Sequence, residues 1–305
     1  MMATYITKRL LQAVLVLLGI TAVVFFVLNL TGDPVELMLP PTATLDDIAA
    51  FRADHGFDDP IIVQYGRFLK GLCVGDFGTS YYYDEPALDL VLERLPATLE
   101  LTLASLFMAL IWGIPAGIIS AVKRNSKTDV LVRIIALVGQ CIPVFWLGIM
   151  MIMLFAVELH WLPTAGRGTF WHLVMPAFCL GVFTSASITR LLRSGMIDIM
   201  GKDFIRVARA KGLSQKVVVI KHAFKNAISS VLTLLGLQVA ALLGGAVITE
   251  TVFAWPGIGR LAVESIHNRD FMVVEAVVIV MALGFVLINL IVDILYSIID
   301  PRVSY

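Results

Sequence analysis

The basic side chains that could bind a partner are concentrated in one stretch between two long apolar runs. This stretch, Asp203–Ala227, reads DFIRVARAKGLSQKVVVIKHAFKNA and holds six Lys/Arg and one acid. The carboxylate of Asp203 can cap the start of a helix, and Gly212 tolerates the left-handed backbone just past a helix end. After Ser214, apolar positions recur at helical spacing and predict one apolar face: Val217, Ile220, Phe224 and Ala227. The stretch is either a docking element or an ordinary basic loop.

Motifs for catalysis and nucleotide binding are missing from the sequence. It contains no G-x-x-x-x-G-K-[ST] phosphate loop, no H-E-x-x-H and no G-x-S-x-G. We therefore expect a chain that is not an enzyme and does not itself bind and hydrolyse ATP. The histidines and cysteines have no metal-ligand spacing: His55, His160, His172, His222, His267, Cys73, Cys141 and Cys179. We expect no catalytic residue, no metal site and no cofactor in this chain.

A few polar residues lie in apolar surroundings, where each is a candidate for function. Gln140 and Gln238 could equally form hydrogen bonds between helices or line a pathway. Asp293 lies near the end of the last apolar run. Arg190 or Arg193, at the end of the fourth run, could reach it. We expect a structural ion pair there rather than a transport role.

A compact turn-rich loop follows the fifth apolar run. It reads VFAWPGIGR, from Val252 to Arg260, and Trp255 is its aromatic anchor. Pro256 and Gly257, with Gly259, force a tight backbone path. The loop could fold back into the protein as a plug or gate, or it could be a plain turn at the membrane interface.

The elements that must position these residues are long apolar segments. The chain has 305 residues, 59% of them hydrophobic and only 15% charged, where a soluble protein carries about 25% charged residues. Six runs approach or exceed the roughly 20 residues of a membrane-spanning helix: Leu10–Leu30, Leu101–Val122, Ile134–Val157, Leu173–Thr189, Ile228–Thr249 and Ala276–Val292. The first run is too long for a signal peptide. Glycines and prolines inside the runs, such as Gly113, Gly117 and Pro143, suggest kinks or close helix contacts rather than breaks. We predict an all-α polytopic membrane protein.

The distribution of Lys and Arg predicts the orientation. With the N-terminus inside, the cytoplasmic side receives 16 of the 23 basic residues and the outer side 7. The positive-inside rule then places both termini and the 194–227 loop in the cytoplasm. Most tryptophans, Trp255 included, fall on the outer side, as interfacial aromatic residues often do. Positive and negative charges balance, so we expect no nucleic-acid partner.

The chain divides into three parts on this topology. Residues 1–30 form an N-terminal transmembrane helix, residues 31–98 an extracytoplasmic segment, and residues 99–300 a domain of five helices. The middle segment has turn signals around weakly helical stretches such as Leu45–His55. It is too long for a simple connection, and loops of this length tend to be functional.

Together the motifs resemble ABC importer permeases of the dipeptide/oligopeptide/nickel class. The basic stretch, with DFIRVARAKGLS followed by HAFKNA, looks like that class's loop that docks onto the ATPase. Four further stretches agree and cover the chain in order: YITKRLL, the pair GDFGTS and RLPATLELTL, VFAWPGIGRL, and NLIVDILYSIIDPR. The general importer motif begins Glu-Ala-Ala, whereas this chain has Arg206-Val207-Ala208 at those positions.

The resemblance implies a type I ABC importer permease fold with six transmembrane helices in a bacterial inner membrane. It implies a heterodimer with a second, similar permease, two ATPase subunits that bind ATP and Mg, and an extracytoplasmic substrate-binding protein. The coupling helix and its cap would be Asp203, Arg206, Ala208, Arg209, Ala210, Lys211 and Gly212. The small residues among them would allow close approach to a groove. Trp255, Pro256 and Gly257 would lie near the external gate.

Two other classes of function compete with a permease subunit. An autonomous secondary transporter or channel would need charged residues around a mid-membrane cavity, and this sequence has almost none there. A membrane-embedded enzyme would need a Ser/His, paired Asp or His/Glu constellation within the spans, and none is visible. The cargo is left open between a small peptide and a nickel chelate, glutathione or another non-peptide solute.

Overall fold

The structure is a computed structural model that describes residues 2–31 and 44–299. The described residues are helical apart from loops and one isolated antiparallel bridge between Thr79 and Pro86, which confirms the all-α prediction. In chain order the helices are α1 (Met2–Thr31), α2 (Leu45–His55), α3 (Ile61–Val74), α4 (Ala87–Val122), α5 (Lys127–Cys141), α6 (Val144–Met151), α7 (Phe170–Met200), α8 (Asp203–Ala210), α9 (Gln215–Val217), α10 (Lys225–Val252), α11 (Ile258–His267) and α12 (Phe271–Ile299). Two π-helical segments continue α6 and α9: Ile152–Glu158 and Val218–Phe224.

The chain forms two compact units, which are described separately. The first comprises residues 1–97 and 257–286, and the second comprises residues 98–256 and 287–304. Helices α4 and α12 therefore contribute to both.

Local signals set the short helices of the first unit. Thr44 begins α2 with a reciprocal capping box to Asp47, and Gly56 ends it in the left-handed conformation with φ 68°. Helix α3 packs on α1, where the Phe25 and Phe68 rings stack with centroids 5.4 Å apart. The helix predicted at Leu45–His55 is confirmed.

The core of the first unit joins α4 to the last two helices. Its buried side chains come from the start of α4, from α11 and from α12: Ala87, Leu90, Val91, Ile258, Leu261, Val273, Ala276 and Val277. Helix α4 therefore begins at Ala87, well before the apolar run at Leu101, because its apolar positions continue at helical spacing into this core.

The predicted third span is broken rather than kinked. Helices α5 and α6 meet at an angle of 98° around Ile142 and Pro143. Pro143 has no N–H to donate, and a proline drives the preceding residue out of the helical region. Ile142 accordingly has φ −71° and ψ 126°. The expectation that Pro143 would only kink the helix is wrong.

Helices α4 and α7 of the second unit approach closely at glycines. A Cβ on Gly113 would lie 3.0 Å from the Ser185 carbonyl oxygen, and one on Gly117 would lie 3.0 Å from Leu192 Cβ. A Cβ on Gly181 would lie 2.9 Å from the Ser105 carbonyl oxygen. Small residues let backbones approach in this way in membrane proteins, so the close contacts predicted at Gly113 and Gly117 are confirmed.

Among the described residues, three helices are long and apolar enough to cross a membrane: Ala87–Val122, Phe170–Met200 and Phe271–Val292. The bent pair Lys127–Cys141 and Val144–Glu158 makes a fourth if it counts as one span. Helix α1 contains a shorter apolar stretch, Leu11–Val27. Helices cover the six predicted runs except for residues 142 and 143 of the third, and the described part of the chain supports three or four membrane passes.

Candidate functional site

The basic stretch folds as a short helix closed by a left-handed turn. Helix α8 runs from Asp203 to Ala210, and Gly212 follows with φ 75°. The Gly212 N–H donates to the Arg209 carbonyl at 2.9 Å, and the Leu213 N–H lies 3.4 Å from the Ala208 carbonyl. These two bonds form a Schellman motif, in which a glycine avoids the Cβ clash of a left-handed residue. The predicted stop at Gly212 is confirmed.

The start of α8 differs from the prediction by one residue. Lys202 is the N-cap, it forms no side-chain capping bond, and Asp203 is the first helical residue. The Asp203 carboxylate instead lies 3.1 Å from the Arg206 guanidinium, one turn along the helix. A negative charge in the first turn still interacts favourably with the helix dipole.

Helix α8 has one buried and one exposed face. Ile205 is fully buried and Ala208 nearly so. Phe204 and Val207 are 46% and 52% exposed, although both are apolar. The small Ala208 side chain therefore packs within this chain, and a partner that contacts α8 would meet Phe204 and Val207 instead.

The basic residues of the predicted site share the exposed surface of α8. Arg206, Arg209, Ala210, Lys211 and Gly212 are all exposed. The Arg206–Asp203 pair is exposed at both ends, and such pairs contribute only about 0–1 kcal/mol. The exposed surface is thus basic at its edges and apolar at Phe204 and Val207, and its charged groups are available to a partner.

The buried face of α8 is fixed to the long helices on either side of it in the sequence. Ile205 and Ala208 belong to one apolar cluster with residues of α7, of the π-helical segment Val218–Phe224 and of α10: Ile188, Leu192, Met196, Val218, Val219, Ala223, Ala227 and Val231. Because interiors are close-packed and deform little, a displacement of α8 must move α7 and α10 as well.

The apolar face predicted after Ser214 is only half right. Phe224 and Ala227 pack in the cluster around α8 as expected. Val217 and Ile220 are exposed, whereas Val218, Val219 and Ala223 are buried instead. The cause is the π-helical segment Val218–Phe224, whose wider turn breaks the 3.6-residue period on which the prediction depended.

A buried ion pair lies at the end of α7 that leads to α8. Arg193 donates from Nε and Nη2 to the two oxygens of Asp129 at 2.8 and 2.9 Å. Asp129 is fully buried and also accepts from the Ser120 hydroxyl at 2.6 Å and the Asn125 N–H at 2.9 Å. It therefore joins α7 to the loop between α4 and α5.

Sequence reasoning missed Asp129 and the apolar pair on α8. The signal for Asp129 is that it is the only acid among the basic residues from Lys123 to Arg133. The side chain of Asp293 lies outside the described part of the chain, so its predicted pairing stays a prediction. Arg190 is exposed, and Arg193 is engaged by Asp129.

The first part of the turn-rich loop, up to Trp255, is tightly packed within the second unit. Trp255 is 1% exposed, and its backbone N–H donates to the Glu250 carbonyl at 2.8 Å. The Arg167 guanidinium lies 5.9 Å from the centroid of the Trp255 ring. The buried Glu250 carboxylate accepts from the Thr98 hydroxyl at 2.7 Å. Trp255 is therefore an anchor that is buried within the protein.

The other residues proposed for a gate or pathway differ little in burial. Pro256, Gln140 and Gln238 are all partly buried. Gly257 belongs to the first unit, where it is the N-cap of α11.

The described residues contain no group of three or more His, Cys, Asp or Glu side chains that could hold a metal ion. Cys73 and Cys141 are exposed free thiols, and Cys179 is a buried one.

Comparison with known proteins identifies the family. Residues 113–305 match the family model described as a binding-protein-dependent transport system inner membrane component, and residues 2–102 match the N-terminal model of such membrane components. The chain is 43% identical to a dipeptide transport system permease protein of Alkalihalophilus pseudofirmus. It is 41% identical to a glutathione transport system permease protein of Escherichia coli K12 and 40% identical to an oligopeptide transport system permease protein of Bacillus subtilis. All three alignments cover both chains completely.

Solved structures agree on the fold. A chain of a methionine ABC transporter, in an inward-facing conformation, matches with a TM-score of 0.60 and 22% identity over 69% of this chain and 96% of that chain. The chain therefore belongs to the family of binding-protein-dependent transport system inner membrane components, and it is a multi-pass, non-catalytic permease subunit of an ABC importer that works with ATPase subunits.

Proposed function

We propose that α8 is the coupling helix through which an ATPase subunit moves this permease. The observation that carries the proposal is the division of α8 into two faces. Ile205 and Ala208 anchor the helix in the cluster shared with α7 and α10, while Phe204, Val207 and Arg209 point away from it. A partner that binds the exposed face of α8 moves α8 together with α7 and α10 as a rigid body.

The exposed face of α8 indicates what kind of groove on the ATPase subunit would bind this helix. Phe204 and Val207, three residues apart on the helix, require an apolar floor. Arg206, Arg209 and Lys211 require acidic or carbonyl groups at the rim. An apolar centre with a charged rim is the usual arrangement of a protein interface.

The assembly and topology that we propose follow from the family and the charge distribution. A second, similar permease completes the translocation pathway, two ATPase subunits dock inside, and a substrate-binding protein delivers the cargo from outside. Six spans place both termini in the cytoplasm, and residues 31–98 form the outer segment that meets the binding protein or covers the pathway. The protein is thereby assigned to a bacterial inner membrane.

The proposed cargo is a short peptide. Relatives of full length carry the names of dipeptide, oligopeptide and glutathione permeases, and glutathione is itself a small peptide. A nickel chelate or another non-peptide solute is the alternative. A ligand screen on the cognate binding protein decides between them, because that protein carries most of the selectivity in such systems.

The external gate is proposed at Trp255, Pro256 and Gly257. Burial of the Trp255 ring beneath Arg167 supports a defined, packed position for this loop. Gln140 and Gln238 are proposed as pathway residues or as hydrogen-bond partners between helices, with neither role favoured by their partial burial.

The coupling assignment is tested with the complete transporter in proteoliposomes. Val207→Asp and Arg209→Glu should reduce ATP-driven uptake at least tenfold, which corresponds to about 1.4 kcal/mol, and should weaken copurification of the ATPase. Gly212→Pro should do the same, because the φ of 75° at this residue is incompatible with the proline ring. Lys123→Glu is the control, since Lys123 is an exposed basic residue that is not part of α8. Undiminished uptake in all three variants would remove the assignment.

The orientation is tested with a native thiol. Cys73 is exposed near the end of α3, in the segment proposed to lie outside. A membrane-impermeant maleimide added to spheroplasts should label Cys73 but not an introduced Lys123→Cys thiol, with Cys141 and Cys179 replaced by serine. The reverse labelling pattern would invert the proposed topology.

A further inference from the structure

The first unit contains a cavity that the transport proposal does not use. It has a volume of about 250 Å³, near the lower end of the roughly 300–1,000 Å³ of small-molecule sites. Aromatic rings from three segments of the unit form much of its wall: Phe25, Phe57, Phe68, Phe77 and Phe271. A cavity of this size fits one aromatic or aliphatic group with a short polar head.

One wall of the cavity carries a buried carboxylate. Glu275 lines the cavity and is only 8% exposed. It lies one helical turn after Phe271, so the two side chains share a face of α12. Within the described part of the chain Glu275 forms no hydrogen bond or ion pair. A carboxylate is rarely buried without a partner, so its environment calls for a cationic ligand.

The other charged groups of the cavity do not neutralise Glu275. Arg67 donates to the Asp59 carboxylate and to the Gly56 carbonyl. Asp76 accepts from the Gly78 N–H at 3.0 Å and adds a second negative charge to the lining. Among the lining residues the acids outnumber the bases, with Asp76 and Glu275 against Arg67.

Tyr81, near Glu275, is also affected by the negative charge in this region. The buried Tyr81 hydroxyl has no hydrogen-bond partner among the described residues. Its pKa is raised, chiefly by burial and then by the negative charges of Asp270 and Glu275. Tyr81 therefore stays protonated beside Glu275.

We propose that this cavity binds a small organic ammonium ion that carries an apolar group. The ammonium pairs with Glu275, the aromatic rings surround the apolar group, and their faces attract the cation. The ammonium could come from the amino terminus of a short peptide or from the headgroup of phosphatidylethanolamine. The site is independent of the coupling function proposed for α8.

The test uses the full chain in phosphatidylglycerol nanodiscs and isothermal titration calorimetry. The probe is 2-phenylethylammonium, and 2-phenylethanol is its neutral counterpart. The ammonium should bind at least tenfold more tightly than the alcohol. Glu275→Gln should abolish this preference and keep the alcohol affinity within twofold. Glu93→Gln, at an exposed acid outside the cavity, should leave both affinities unchanged.

If Glu275→Gln does not fold, a second variant tests whether the cavity binds the ammonium ion. Phe68→Leu keeps the carboxylate and most of the apolar volume but removes one aromatic face, so it should weaken the ammonium at least threefold and the alcohol less. Equal affinities of the two probes for the native chain, or an unchanged preference in the folded variants, would overturn the proposal.

Two further arms identify the source of the ammonium. If peptides occupy the site, the peptide Phe-Gly-Gly competes with the probe only when its amino terminus is free. Nanodiscs of phosphatidylethanolamine weaken probe binding, if the lipid occupies it. Competition in either arm supports the proposal, and lack of competition in both overturns it.

Discussion

The ion pair between Asp129 and Arg193 should be the most costly polar contact to break in the second unit. Asp129 is completely buried, and its oxygens accept from Arg193, Ser120 and the Asn125 N–H at distances between 2.6 and 2.9 Å. A second arginine, Arg133, lies on the same helix at 3.6 Å from the same carboxylate. One acid thus has a largely buried partner, Arg193, and an exposed partner, Arg133, which allows a matched comparison.

The expected costs differ because the two arginines differ in burial. Removing one partner of a buried ion pair costs about 3–5 kcal/mol, since the other charge is left without compensation. Arg193→Ala should therefore destabilise by about 3 kcal/mol or more. Asp129→Ala should fall at the lower end, because the Arg193 side chain is 21% exposed and can recruit water. The Arg133 side chain is 51% exposed, so Arg133→Ala should cost about 0–1 kcal/mol.

The measurement is unfolding of the purified chain by SDS titration in mixed micelles. The double variant Asp129→Leu/Arg193→Met should recover most of the stability lost in either single variant, because replacing both members of a buried pair by apolar residues is often neutral. Equal losses for Arg133→Ala and Arg193→Ala, or strictly additive losses in the double variant, would refute the reasoning.

Three further predictions concern helix packing and the proposed ion pair of Asp293. Gly181→Ala should destabilise by about 1–3 kcal/mol, because its Cβ would lie 2.9 Å from the Ser105 carbonyl oxygen. Gly244→Ala should be neutral or stabilising in the same unfolding assay, since nothing lies within 4 Å of its Cβ. Asp293→Arg should impair assembly of the transporter, measured by copurification of its subunits. Adding Arg190→Asp should restore assembly if these residues form the proposed pair. Failure of the double variant to restore it counts against the pair.

Patterns of apolar residues were sufficient to predict the all-helical class. Five of the six predicted runs lie within continuous helical structure and the third is helical on both sides of its break, because removal of apolar side chains from water and full satisfaction of the backbone favour helices in a membrane. The Gly212 turn was equally predictable, since a basic helix followed by glycine is a local signal that needs no tertiary contact.

Predictions failed where a regular period was interrupted. The break at Pro143 was not predicted because the effect of a proline depends on whether neighbouring helices can compensate for the lost hydrogen bond. The π-helical segment Val218–Phe224 shifted the buried face from Val217 and Ile220 to Val218 and Val219. A prediction that assumes a fixed period of 3.6 residues cannot anticipate this shift of the buried face.

The sequence by itself determined the class of the protein, the position of the basic stretch and the absence of a phosphate loop, since these depend on composition and short motifs. Only the tertiary structure decided which side of α8 is free, leaving Phe204 and Val207 outside and Ala208 inside. It also gave Arg193 its partner in Asp129, 64 positions away in the chain. Burial and pairing depend on which helices meet, and the spacing of residues along one helix does not contain that information.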